Sequence, residues 1–218
     1  MTERRLLKTQ ALSGTVFLFF TLIHLTNTGI AALGIDAYDG FMVNARAVYQ
    51  NPLIEITALL IPLTVHWVAA VIRLRRDGFK RKNTTLRARL HRYTGYFLLF
   101  FIWGHVAATR GPSLLMNIES GFTAISFTFA SLPYFFYPYY AMLGLSGLYH
   151  TVNGAMLAAS IFGVRVPQGL RYGPGFWVPV GAASALLLLG LAGLSGNLYA
   201  IPDPLESEFA ALVADLMP

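Results

Sequence analysis

The chain has 218 residues, of which 56% are hydrophobic and only 12% are charged. Soluble globular domains usually carry about twice that share of charged residues, so the composition excludes an ordinary soluble domain and predicts a protein in a lipid bilayer. The absence of cysteine excludes disulfides and thiolate-bound zinc or iron–sulfur sites within the chain. The net charge of +6 does not indicate nucleic-acid binding, because basic residues in membrane proteins usually mark cytoplasmic loops.

Five long apolar segments follow one another along the chain, at residues 11–33, 52–73, 92–110, 133–163 and 176–199. Each approaches or exceeds the roughly 20 residues that a helix needs to cross a bilayer. No soluble domain separates them. We therefore predict an all-α, multi-pass membrane protein with five transmembrane helices, a single domain over residues 1–200, and a short acidic tail over residues 201–218.

The charged residues predict the orientation of these helices. All 16 lysine and arginine residues except Arg46 and Arg110 lie before the first segment, between the second and third, or between the fourth and fifth. All acidic residues except Glu3 and Asp77 lie on the opposite side. Since cytoplasmic loops are enriched in lysine and arginine, we expect the N-terminus in the cytoplasm and the tail outside.

Each of the first four segments contains a histidine within its apolar run: His24, His66, His105 and His150. His24 and His105 each lie about 13 residues into an outward-running helix, and therefore roughly 20 Å from the inner face. His66 and His150 lie about 14 and 17 residues into inward-running helices, in a layer near the inner face. The spacing predicts an outer pair, His24 with His105, and an inner pair, His66 with His150, roughly 10 Å apart in depth.

Two layers of paired histidines are what two stacked bis-histidine haems require, because each haem takes one imidazole from each of two facing helices. Imidazole suits iron, and helix-bundle cores are common sites for such ligands. Gly147 and Gly154 share a helix face with His150 and leave room beside it for a flat group. The pattern predicts two b-type haems in a four-helix core, with the four histidines as axial iron ligands. A dinuclear metal site would instead gather the histidines at one depth beside carboxylates.

A histidine in a membrane helix can also form an interhelical hydrogen bond or relay protons. A haem-free transporter or scaffold that uses the histidines as a proton path is therefore an alternative from another functional class. His91 differs from the other four, because it lies among basic residues at the cytoplasmic start of the third segment. We interpret His91 as an interfacial residue.

Four stretches of the sequence resemble, in order, the core helices of one known family. They are the stretch from Ser13-Gly14 to His24-Leu25-Thr26-Asn27, the stretch from Glu55 through Pro62 to His66, the stretch from His91-Arg92-Tyr93-Thr94-Gly95 to His105 and Arg110, and the motif His150-Thr151-Val152-Asn153-Gly154. Together they are similar to the two-haem cytochrome b membrane-anchor subunit of succinate:quinone oxidoreductases, which comprise succinate dehydrogenases and fumarate reductases. The resemblance covers about residues 4–195.

The resemblance implies a subunit of a prokaryotic cytoplasmic membrane that passes electrons between an iron–sulfur subunit and membrane quinone. A flavoprotein subunit and the iron–sulfur subunit would bind on the cytoplasmic face, with the basic stretch 73–92 as their contact surface. The haem nearer the flavoprotein would be bound by His66 and His150, and the other by His24 and His105. Nothing in the chain would bind flavin or a dicarboxylate, so the chain alone would not oxidise succinate. A two-haem b cytochrome that serves another redox partner is the nearest alternative.

Quinone reduction requires a group that exchanges protons. Glu55, at the outer end of the second segment, is our candidate, because acids within membranes are often functional. It could instead be an interfacial acid at a helix N-terminus, where negative charge is favoured. Haem propionates would need polar partners, and since arginine pairs well with carboxylates the candidates are Arg92, Tyr93, Arg110 and Asn153.

Overall fold

The computed structural model of the chain describes residues 2–79, 85–119 and 121–216. The predicted all-α fold is confirmed: 86% of the structure is helical, and the described residues contain no strand. Residues 80–84, within the predicted basic contact surface, and the last two residues of the predicted tail lie outside the described part.

Five long helices coincide with the five predicted apolar segments. They are α1 (Glu3–Ile30), which a 3₁₀ turn extends over Ala31–Leu33, α3 (Pro52–Asp77), α4 (Leu86–Met116), α6 (Pro133–Ile161) and α8 (Pro174–Leu194). Shorter helices lie between and after them: α2 (Ile35–Tyr49), α5 (Phe122–Ser131), α7 (Gln168–Arg171) and α9 (Glu208–Leu216).

Three of the long helices are long and apolar enough to cross a membrane: α1 with its 3₁₀ extension, α3 and α8. Helices α4 and α6 have the length for a span, but both contain polar residues that lower their mean hydropathy, including arginine and histidine in α4 and histidine and asparagine in α6. The structure is therefore compatible with a membrane protein that has three candidate spanning helices among the described residues.

Helix α3 has an irregular first half. It begins after Asn51, whose side chain accepts a hydrogen bond from the Leu53 N–H (3.1 Å), and it is π-helical over Glu55–Leu60. Pro62 follows this wide turn. Proline lacks an N–H donor and its ring crowds the carbonyl four residues earlier, so a wider turn at that point accommodates it.

Helices α1, α3, α4 and α6 form a four-helix core. Helix α1 packs along α3 and α6, and α4 packs along α6. The indole N–H of Trp67 on α3 donates to the carbonyl of Leu99 on α4 (2.8 Å), which closes the fourth side. Helices α1 and α4 therefore face each other across one diagonal of the bundle, and α3 and α6 across the other.

Helix α8 packs on the outside of this core, against α1 and α6. Its approach to α1 is very close, because a side chain at Gly190 would collide with the backbone carbonyl of Thr28. Small residues permit such contacts between helices in membranes. Helices α2 and α5 cover the end of the bundle at which α1 ends. A buried cluster forms there: Ala31, Tyr38, Met42, Phe122, Phe129 and Leu194.

Candidate functional site

The outer pair meets across the diagonal between α1 and α4. The ring centres of His24 and His105 lie 5.9 Å apart, with an angle of 62° between the ring planes. Phe20, one turn before His24, stacks on the His24 ring at 5.6 Å, and it also contacts the ring of Tyr49 on α2 at 5.2 Å. Aromatic side chains thus fix the His24 ring on the side towards α2.

The inner pair meets across the other diagonal, between α3 and α6. The ring centres of His66 and His150 lie 6.2 Å apart, and the two ring planes are nearly perpendicular at 89°. Each of the four core helices thus contributes one histidine to one of two diagonal pairs.

Each ring of the inner pair is hydrogen-bonded to a neighbouring helix. Nδ1–H of His66 donates to the carbonyl of Gln10 on α1 (2.9 Å), and Nδ1–H of His150 donates to the carbonyl of His91 on α4 (3.1 Å). A carbonyl only accepts hydrogen bonds, so the proton of each neutral ring is on Nδ1. The lone pair on Nε2 is then available, and this is the arrangement that orients histidines as metal ligands.

Two glycines make room for these rings. An added side chain on Gly14 of α1 would lie 2.9 Å from His66 Cε1, and one on Gly95 of α4 would lie 2.9 Å from His150 Cε1. The sequence reasoning emphasised Gly147 and Gly154 instead. Gly147 faces open space, as expected for a gap beside His150, whereas the closest neighbour of a side chain at Gly154 would be His91 at 3.5 Å.

The distances within both pairs suit two imidazoles that bind one metal ion from opposite sides. A metal–imidazole bond is about 2 Å long and each ring centre lies about 1 Å behind its nitrogen, so the two ring centres should be about 6 Å apart. Within the described residues, no group of three or more histidine or acidic side chains could hold a metal ion. A metal between the two rings of either pair would therefore need its other ligands from another group.

The His91 ring, interpreted from the sequence as interfacial, is partly buried and packs against α6. Its ring stacks on the His150 ring with centres 4.0 Å apart and planes 9° from parallel. Its Nδ1 atom is buried without a hydrogen-bond partner among the described residues. The basic composition around His91 suggested a surface position, but the start of α4 turns this side chain towards α6.

Asn153, a predicted partner of a haem propionate, is buried and held by Arg87. The Asn153 Oδ1 atom accepts hydrogen bonds from Nε (3.1 Å) and Nη2 (2.6 Å) of Arg87. Nη1 of Arg87 donates to the Arg171 carbonyl, and its guanidinium lies 3.8 Å over the ring of Phe176. Arg87 thus joins α4, α6 and α8 near the inner pair, a role that the sequence reasoning missed because one arginine in a basic run has no distinguishing pattern.

Glu55 and Arg110, predicted separately as a proton-exchanging group and a propionate partner, form a bidentate ion pair. Arg110 Nε lies 2.6 Å from Glu55 Oε1, and Arg110 Nη2 lies 2.9 Å from Glu55 Oε2. The Glu55 side chain is 16% exposed and the Arg110 side chain is 23% exposed. The remaining terminal nitrogen of Arg110 donates to Ser113 (2.6 Å). All the guanidinium nitrogens of Arg110 are engaged in this network, so its geometry gives the propionate role no support.

The ion pair belongs to a polar network that extends towards the end of the bundle covered by α2 and α5. The Ser113 hydroxyl donates to Glu119 Oε1 (3.2 Å), and Glu119 Oε2 pairs with Arg46 of α2 (2.6 Å). Tyr49 lies beside this group, and burial raises the pKa of its phenol. The phenol therefore stays neutral and donates to the sulfur of Met42 (3.6 Å).

The two remaining propionate candidates, Arg92 and Tyr93, directly follow His91 on α4 but differ in exposure. The Arg92 side chain is half-buried at the start of α4. Tyr93 is 64% exposed, and its ring contacts Tyr96 at 6.3 Å. Tyr93 therefore projects away from the inner pair.

Comparisons of the chain with protein-family models, with curated proteins and with solved structures find no match.

Proposed function

We propose that this chain is a two-haem cytochrome b that anchors an electron-transfer complex in the membrane. One observation carries the proposal: two diagonal pairs of histidines have ring centres 5.9 and 6.2 Å apart, the separation expected of two imidazoles on one metal. Five membrane spans, including α4 and α6, and a cytoplasmic N-terminus belong to the same proposal.

The four histidines would hold two b-type haems, which would supply one-electron chemistry when bound. His24 and His105 would bind the outer haem, and His66 and His150 the inner one. The chain itself contributes ring orientation through the Gln10 and His91 carbonyls and space through Gly14 and Gly95. Burial and hydrogen bonding at the ligands are the means by which a protein sets the potential of such groups.

The complex that we propose is a succinate:quinone oxidoreductase. The iron–sulfur and flavoprotein subunits would bind on the cytoplasmic face, beside the inner pair, and quinone would react within the membrane. The support for this part is the resemblance of four helix sequences to that family, together with the chain's basic cytoplasmic loops. Glu55 would exchange the quinone's protons, and because Arg110 holds both of its oxygens, this ion pair must open when the carboxylate binds a proton.

Reduction of the purified chain by a quinol tests this function. We expect a quinol to reduce the haems, so that the absorbance band of reduced b haem appears. We also expect the endogenous iron–sulfur and flavoprotein subunits to co-purify with the chain from its native membrane. Quinol reduction without these two subunits would favour a b cytochrome with another redox partner. A chain without haem would favour the proton-path alternative.

A further inference from the structure

The stacked ring of His91 has no role in the function proposed above. A buried nitrogen without a hydrogen-bond partner is destabilising, and Nδ1 of His91 is such an atom among the described residues. Leucine would fill a similar volume without this cost.

His91 contacts the His150 ring in two ways. Its backbone carbonyl accepts the hydrogen bond from His150 Nδ1 (3.1 Å), and its imidazole covers one face of the His150 ring at 4.0 Å. Gly95, one turn further along α4, borders the Cε1 atom of the same ring. The covalent bond to Cβ and the hydrogen bond at Nδ1 both restrict the ring, and contacts against its faces further limit rotation about the Cβ–Cγ bond.

The two rings of the inner pair are held nearly perpendicular, at 89°, whereas those of the outer pair are 62° apart. The outer pair has a stacked phenylalanine, Phe20, on His24 at a ring-centre distance of 5.6 Å. The stack of His91 on His150 is closer, at 4.0 Å, and both stacks are nearly parallel, with interplanar angles of 9° and 11°. A planar side chain at position 91 therefore lies directly against the plane of the His150 ring.

We propose that His91 is a positioning residue that fixes the ring plane of His150 as an axial ligand of the inner haem. This inference rests on the proposed function. The carbonyl of His91 determines which nitrogen of His150 carries the proton, and the His91 ring determines the direction in which that imidazole plane points. The angle between two axial imidazole planes governs the g-anisotropy of a low-spin ferric haem, so this role has a spectroscopic signature.

The test compares His91→Leu with His91→Phe in the purified full chain. Leucine fills the space but is not planar, and phenylalanine keeps a planar ring. Neither changes the backbone carbonyl. The readout is the electron paramagnetic resonance spectrum of the oxidised protein, in which the outer-haem signal is identified as the one that remains in His66→Ala.

We expect His91→Leu to lower the low-field g value of the inner-haem signal, because the imidazole planes relax from the perpendicular arrangement. His91→Phe should keep the wild-type value, and the outer-haem signal should be unchanged in both variants. An unchanged inner signal in His91→Leu would overturn the proposal. So would an equal shift in both variants, or loss of the inner haem from both.

Failure of this inference is distinguishable from failure of the proposed function. If the wild-type chain binds two haems but the variants behave in one of those contradicting ways, only the role of His91 is wrong. If the wild-type chain binds no haem, the function on which the role rests is wrong.

Discussion

At the scale of single residues, the four core histidines are held by different means. Each ring of the inner pair donates an Nδ1 hydrogen bond to a carbonyl on the neighbouring helix, whereas His24 is stacked on Phe20. A neutral imidazole that is fixed in this way presents its other nitrogen in one direction, which is the requirement for an axial ligand. The residues that hold the rings are therefore as informative about function as the histidines themselves.

Substitution of Glu55 tests its proposed role in proton exchange. Glu55→Gln keeps the size of the side chain but cannot take up a proton, so we expect quinone-linked turnover to fall about a hundredfold. Glu119→Gln is the matched control, because Glu119 belongs to the same polar network but is 57% exposed. Haem content should be unchanged in both variants, and turnover of Glu55→Gln equal to that of the control would contradict the role.

The glycines beside the inner pair provide a second test. Gly14→Ala would press on His66, and Gly95→Ala on His150, since each added methyl would lie 2.9 Å from a ring carbon. We expect each variant to lose or shift the absorbance band of the inner haem and to keep that of the outer haem. Equal loss of both bands in either variant would mean that the glycine supports the bundle in general.

At the scale of the helices, the close contact between α1 and α8 depends on small residues. Gly190 lies against the Thr28 carbonyl. A Cβ atom added to Gly29 would lie only 3.1 Å from Cγ of Leu186. Helix α8 contributes no core histidine, so its role is to cover the outside of the four-helix core.

A pair of alanine substitutions on α8 measures this packing. We expect Gly190→Ala to destabilise the protein by about 1–3 kcal/mol, because the added methyl forces the helices apart. Gly181→Ala adds the same methyl to the same helix in open space, and it should be neutral or slightly stabilising. Thermal unfolding in detergent gives the comparison, and equal melting temperatures for the two variants would show that the contact is unimportant.

At the scale of the whole molecule, the charge distribution predicts one orientation in the membrane. We expect a reporter that is active only in the cytoplasm to be active when fused to the N-terminus and inactive when fused after the tail, since the basic loops should remain inside. The opposite pattern of activity would place the inner pair on the outer side of the membrane. The cytoplasmic partner subunits could not then deliver electrons at that pair.

Much of this architecture follows from the sequence, because long apolar runs specify helices and helical rise specifies depth. The histidines that the depth estimates paired are adjacent in the structure, and their function as ligands stays a prediction. Gly14 and Gly95 each precede the histidine of their own helix by about ten residues, so their spacing could have indicated that they border the inner layer.

The positions of His91, Arg87 and Glu55 could not be obtained in the same way. Each depends on the direction in which a side chain points from the end of a helix, and on which charged partner is nearest in space. Charge patterns near helix ends are shared by interfacial residues and by buried partners alike. The ion pair of Glu55 with Arg110 joins residues on two helices, and no local pattern in either helix predicts it.

The ratio of haem to protein in the purified chain and its histidine variants is the decisive test of the two paired haem sites. The wild type should contain two b-type haems per chain. His24→Ala and His105→Ala should each retain one haem with the same reduced-minus-oxidised band, and His66→Ala and His150→Ala should each retain one haem with the other band. A wild-type chain without haem, or variants in which His24 and His105 affect different haems, would contradict the account.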